Sequence, residues 1–193
     1  MLRRLYDWTL GLAAHRRATP ALGLISFIES SIFPIPPDVM LIPMILADRT
    51  RAFRLALIAT VCSVIGGLAG YAIGALLFDQ IAQPLIAFYD YTDAFEKFRT
   101  GYQEQGAWAV FLFGVTPFPY KVITIASGVT GLDIATFLAA SVAARGLRFF
   151  VVAALLWRFG PPIRDFIEKY LGPLFLLFVV CLIGGFAAIK FLL

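Results

Sequence analysis

Histidine is almost missing from this chain of 193 residues: His15 is the only one, and one imidazole cannot build a histidine-based metal site. There are two cysteines, Cys62 and Cys181, each inside an apolar run, so neither a redox compartment nor metal binding is inferred from them. No His-Glu-x-x-His or Gly-x-Ser-x-Gly arrangement occurs, which argues against a metalloprotease or an esterase-type hydrolase. No enzymatic activity and no cofactor are expected. Charge is scarce too, at 15% of residues against about 25% in soluble domains. The start, Met1-Leu-Arg-Arg, resembles a signal peptide. However, Arg3, Arg4, Asp7, His15, Arg16 and Arg17 leave no clean apolar region over 2–19, and cleavage is not expected.

What is abundant is apolar surface: 61% of residues are hydrophobic, and mean hydropathy is +0.87. A domain of this size has too much surface for its volume to hide that excess from water. The expectation is an all-α integral membrane protein. The formal charge is +4, but the basic residues fall between or beside apolar stretches. That distribution suits anionic lipid and cytoplasmic loops, not nucleic acid.

Residues 1–19 read as an interfacial amphipathic helix, with Leu2, Leu5, Tyr6, Trp8 and Leu12 at helical spacing and arginines alongside. Residues 20–47 form an apolar stretch interrupted by Pro34, Pro36 and Pro37. Proline lacks an amide donor and clashes with the preceding turn, so the helix breaks there. Two full spans need about 20 residues each, which leaves one broken span or a re-entrant hairpin. Residues 52–78 read as a transmembrane helix, with Gly66, Gly70 and Gly74 on a stripe suited to close packing. An acidic linker, 79–104, precedes a second broken segment over 106–130, interrupted by Pro117 and Pro119. A second long helix is expected over 132–157, and 161–193 supplies an amphipathic connector and a C-terminal transmembrane helix.

The two breaks repeat each other. Pro34-Ile-Pro36-Pro37-Asp38-Val39 aligns with Pro117-Phe-Pro119-Tyr-Lys121-Val122 at an offset of 83, and each precedes a long apolar helix. Paired, proline-interrupted hydrophobic segments are the sequence pointer to a transporter binding site. If each were a full span, Arg49, Arg51 and Arg54 would face away from the arginine-rich N-terminus, against the positive-inside tendency. Two re-entrant hairpins entering from opposite faces, an inverted repeat, fit better and put the N-terminus in the cytoplasm.

Five charges fall inside apolar runs: Glu29, Asp38, Lys121, Arg145 and Arg148. Each costs about 2.5–3.5 kcal/mol at a helix centre, so such groups pair or line a wet pathway. The expectation is that the hairpins meet and bring acids and bases together as a substrate- and proton-binding site. Burial and a neighbouring cation act in opposite directions on a carboxylate's hold on its proton. Glu29 and Asp38 are therefore candidates to bind and release protons, and the arginines suit a phosphate-bearing substrate. A purely structural reading stands beside this one: Asp38 and Lys121 could form a permanent salt bridge, and Arg148 could snorkel to an interface.

Phe27-Ile-Glu29 through Asp38, then Phe113 through Lys121, Gly128, Phe137 and Arg145-Gly-Leu-Arg148 together resemble the DedA superfamily, also called the VTT or SNARE-associated domain family. The likeness is nearest to its YqaA-like branch and covers roughly residues 20–160. It implies opposed re-entrant hairpins, a bacterial inner-membrane location and a role in envelope homeostasis. It also implies transport or flipping of a phosphate-headed lipid, undecaprenyl phosphate or a phospholipid, with proton dependence. Glu29 and Asp38 match the family's membrane acids. The second hairpin departs from the pattern: Gly114 stands near where many members carry arginine, and Lys121 is the basic residue after the proline. The expected partners are thus membrane lipids and protons, with a homo-oligomer left open; a non-transporting scaffold held by ion pairs is the alternative.

Overall fold

The computed structural model describes residues 18–32, 36–78, 80, 83–88, 91–116, 119–160 and 162. The interfacial helix expected near the N-terminus, Pro34, Pro117 and the C-terminal span lie outside them. Every regular element among the described residues is helical. In chain order they are α1 (Ala18–Ser31), α2 (Asp38–Ala47), a 3-10 turn (Arg49–Arg51), α3 (Ala52–Leu77), α4 (Gln83–Phe88), α5 (Thr92–Val115), α6 (Tyr120–Thr130) and α7 (Ile134–Gly160).

The starts of α2 and α6 follow the proline positions, whereas Pro43 lies inside α2 without ending it. α1 ends before Pro36 and Pro37, and α2 begins at Asp38 with Pro37 as its N-cap. A proline's missing donor costs nothing at a helix start, where the first amides have no intrahelical partner. The Pro37 carbonyl still accepts the amides of Met40 and Leu41 at 3.0 and 2.9 Å. Pro119 caps α6 in the same way, with φ −61° and ψ 103°. With 10 and 11 residues, α2 and α6 are about 15–17 Å long, too short to cross a hydrocarbon core of about 30 Å. α3 and α7, with 26 and 27 residues, reach about 40 Å and are long and apolar enough to cross it.

The order helix, break, short helix, turn, long helix occurs twice. The second copy differs at its start. α5 runs unbroken through the junction expected between the acidic linker and the second broken segment at 104–106. No proline interrupts 92–115, and Gly101 and Gly106 each cost only about 1 kcal/mol in a helix.

Close contact with α3 brings both copies together. A Cβ on Gly66 would lie 2.2 Å from the Phe27 carbonyl oxygen of α1, and one on Gly70 would lie 2.3 Å from Thr124 Oγ1 of α6. The glycine stripe therefore seats α1 and α6 on one helix. α6 ends at Gly131, whose φ of +66° suits glycine, and the amides of Gly131 and Leu132 close the helix onto Gly128 and Ser127. Asp133 then caps α7 by accepting from the Thr136 amide at 2.8 Å.

Two apolar clusters result. One gathers Leu22, Leu41, Ile45, Leu55 and Phe149 from α1, α2, α3 and α7. The other gathers Val110, Tyr120, Ile123, Leu132 and Phe137 around α5 and α6. Outside them Leu57, Val61, Ile65, Val151 and Leu155 stay exposed along α3 and α7. That is the apolar excess the composition cannot bury, and it is the surface a membrane covers.

Candidate functional site

Glu29 sits in the last turn of α1, a turn that also presents Ser30 and Ser31, with Ser26 one turn earlier. It receives Arg145 Nη2 of α7 at 2.8 Å on Oε2. Arg145 Nε donates to Ser63 Oγ of α3 at 2.7 Å, and Ser63 Oγ lies 2.6 Å from Ser30 Oγ. Ser30 Oγ is in turn 3.2 Å from Glu29 Oε2. A guanidinium can only donate, so Arg145 donates to both Ser63 and Glu29; between Ser63 and Ser30 either hydroxyl can donate, and Ser30 Oγ also lies 3.0 Å from the Ser26 carbonyl oxygen. Arg145 is 1% exposed and lies between the rings of Tyr120 and Phe149, with its guanidinium carbon 4.9 and 4.7 Å from their centroids. It thus touches both apolar clusters. This pair is enclosed.

The second pair is more open. Arg148, one turn further along α7, binds Asp38 Oδ2 in the first turn of α2. Its Nη1 donates to the carbonyl of Thr116, which caps the C-terminus of α5, at 2.8 Å. Arg148 therefore joins the two breaks. The other carboxylate oxygen, Asp38 Oδ1, is buried and has no hydrogen-bond partner among the described residues. Side-chain exposure separates the pairs: 17% and 20% for Arg148 and Asp38, 1% and 10% for Arg145 and Glu29.

A third link runs the other way. Lys121 Nζ, in the first turn of α6, donates to the Ile32 carbonyl just past α1 at 3.0 Å. Thr124 Oγ1 donates to the Ser30 carbonyl at 3.1 Å. The last carbonyls of a helix have no intrahelical donor. Here the second copy supplies those donors for the first.

Four of the five charges meet in two acid–arginine pairs and Lys121 binds a backbone carbonyl, a pairing that corrects the sequence reading in two respects. Asp38 bridges to Arg148 and not to Lys121, whose ammonium donates to the Ile32 carbonyl. Arg148 does not snorkel to an interface; it is held by Asp38 and Thr116. Of the break prolines, Pro36, Pro37 and Pro119 sit immediately before α2 and α6. The sequence reading passed over Ser30, Ser63, Thr116, Tyr120 and Thr124. Ser63 had a signal: it lies three and seven residues before Gly66 and Gly70, on the same face of α3. Tyr120 is anchored by its hydroxyl on Ser141, and nothing in its apolar surroundings marked it.

A helical membrane protein in which broken, half-length helices carry acids and bases to the packed interior is the class these features define. The model of the VTT domain matches residues 35–158, a span containing Asp38, Lys121, Arg145 and Arg148. An uncharacterised protein of Haemophilus influenzae is 37% identical over 168 residues, covering 85% of this chain and 87% of that protein. Another uncharacterised protein, from Histophilus somni, is 41% identical with the same coverage. No solved structure matches the chain. The chain belongs to the VTT-domain, or DedA, family of membrane proteins.

Proposed function

We propose that the protein moves a phosphate-headed lipid across the bacterial inner membrane, coupled to a proton carried by Asp38. In this reading the two broken segments are re-entrant hairpins of an inverted repeat that enter from opposite faces, and the N-terminus is cytoplasmic. Undecaprenyl phosphate and phospholipids are the candidate substrates. One observation carries the proposal: Asp38 and Arg148 meet where both segments break, and the acid keeps one buried oxygen without a described partner. A phosphate suits Arg148 as a planar, bidentate donor. Protonation of Asp38 weakens its grip on the guanidinium, freeing it for such a group. Irregular backbone at membrane depth needs protein or a water-filled cavity around it, and such breaks are where transporter sites form.

The enclosed Glu29–Arg145–Ser63–Ser30 ring favours a second reading, a scaffold held by ion pairs. The two readings part in reconstituted liposomes, where exposure of a labelled phosphate-headed lipid is followed under imposed pH gradients. Transport predicts movement that depends on the gradient, lost in Asp38→Asn and weakened in Arg148→Lys with helix content intact. A folded protein that moves no lipid under any gradient supports the scaffold and refutes transport.

A further inference from the structure

The two spanning helices share one arginine-rich end. α3 starts there, after the turn carrying Arg49 and Arg51, and α7 finishes there with Arg158. The end is held closed by Arg49, whose Nη1 donates to the Trp157 carbonyl at 3.2 Å and whose Cδ would lie 2.8 Å from a Cβ on Gly160. A cation on the last carbonyls of a helix is favourably placed. Arg51 is engaged by Asp48 at 3.3 Å. Arg54 and Arg158 are exposed and have no carboxylate partner among the described residues; Arg158 lies over the Phe159 ring at 5.3 Å. Among the described residues of this end, four arginines thus stand with one aspartate.

Below this belt the surface turns aromatic and then aliphatic. Phe53 stacks on Phe150 at 6.3 Å and meets Trp157 at 5.8 Å, which places the α3 and α7 outer faces side by side. From Phe53 the exposed stripe continues through Leu57, Val61 and Ile65 at four-residue spacing, a run of about 18 Å. One leaflet of hydrocarbon is about 15 Å deep. Unpaired guanidinium groups above an indole, with an apolar track one leaflet long beneath, match the order of groups in a single lipid molecule.

We infer that this end of the α3–α7 pair is a binding site for an anionic diacyl phospholipid, separate from the Asp38–Arg148 site. Its phosphate lies against Arg54 and Arg158, and an acyl chain follows Phe53, Leu57 and Val61. Arg49 positions the end of α7, and Arg51 remains with Asp48.

Trp157 reports on this site directly. In a Trp8→Phe/Trp108→Phe protein it is the remaining tryptophan. Full-length protein in mixed vesicles is titrated with acyl-brominated phosphatidylglycerol or phosphatidylcholine, and indole quenching gives the relative association constant. Basic residues near a charged surface are worth about 1 kcal/mol each, so two give a preference of up to about thirtyfold for the anionic lipid. Adding Arg54→Gln/Arg158→Gln brings the ratio close to 1, and molar salt does so in the protein with its arginines intact. Equal quenching by both lipids at low salt overturns the inference. So does a preference that survives both the double substitution and salt.

Discussion

Replacing Arg145 with methionine tests whether the enclosed ring is a structural lock. The substitution leaves Glu29 facing an apolar interior with Ser30 as its remaining described partner. Removing one member of a buried pair costs about 3–5 kcal/mol, mostly from the charge left behind. The bond to Ser63 adds about 1 kcal/mol, and the contacts with Tyr120 and Phe149 a similar amount, partly restored by the methionine sulfur against those rings. Arg145→Met should therefore lose about 4–6 kcal/mol. Glu29→Leu/Arg145→Met, which removes both charges, should fall within about 1–2 kcal/mol of the parent, because a whole buried pair can often be exchanged for apolar groups at little cost. Unfolding in mixed micelles, followed by helical circular dichroism, measures both and, with Glu29→Leu alone, closes a double-mutant cycle. Additive losses, or a single-variant loss below about 1 kcal/mol, would refute the lock. Activity of the double variant in the liposome assay then separates the pair's structural contribution from any direct part in transport.

Two further outcomes follow from the packing and the caps. Gly66→Ala puts a methyl 2.2 Å from a backbone carbonyl that cannot move without shifting α1, so it should lower the thermal midpoint more than Gly101→Ala, whose site is open. Asp133 has its carboxyl held below the usual aspartate value, chiefly by the Thr136 amide it accepts, so the cap contributes fully above the unfolded value of about 3.8 and fades as pH falls through the lower folded value. Asp133→Ala should accordingly lower the midpoint at neutral pH, and the gap to the parent should close in acid; a gap that persists there would show that the carboxylate is not the cause.

Local physics made the breaks legible and left the pairing hidden. Pro36, Pro37 and Pro119 act through a missing donor and a ring clash, properties of a residue and its neighbours, so the starts of α2 and α6 follow from the sequence. The length of α3, the expectation that Gly66 and Gly70 pack, and the meeting of acids with bases follow from composition and period. Pairing depends on how each helix is rotated against the others. Arg145 and Arg148 are three residues apart on α7, close to one face, yet one reaches α1 and the other reaches α2 and the end of α5. No spacing rule distinguishes those destinations. The continuity of α5 was hidden for a related reason: its charge pattern changes near 104 while its backbone has no cause to stop.

The opposite charges at the repeated position have a common backbone reason. Each copy has a helix that ends at its break, α1 at Ser31 and α5 at Val115, and both leave carbonyls without an intrahelical donor. Lys121 serves the Ile32 carbonyl by itself. Asp38, at the matching position, accepts but cannot donate when ionised. Arg148 supplies what the acid lacks, giving one nitrogen to Asp38 and another to the Thr116 carbonyl. The acid copy therefore needs an arginine where the basic copy needs only itself. The two acid–arginine pairs are each neutral, which leaves Lys121 as the positive charge among the five without a carboxylate among the described residues. A helix C-terminus offsets such a charge only by about half an elementary unit. On the function proposed above, an anionic headgroup between the breaks has that ammonium as a second cation besides Arg148.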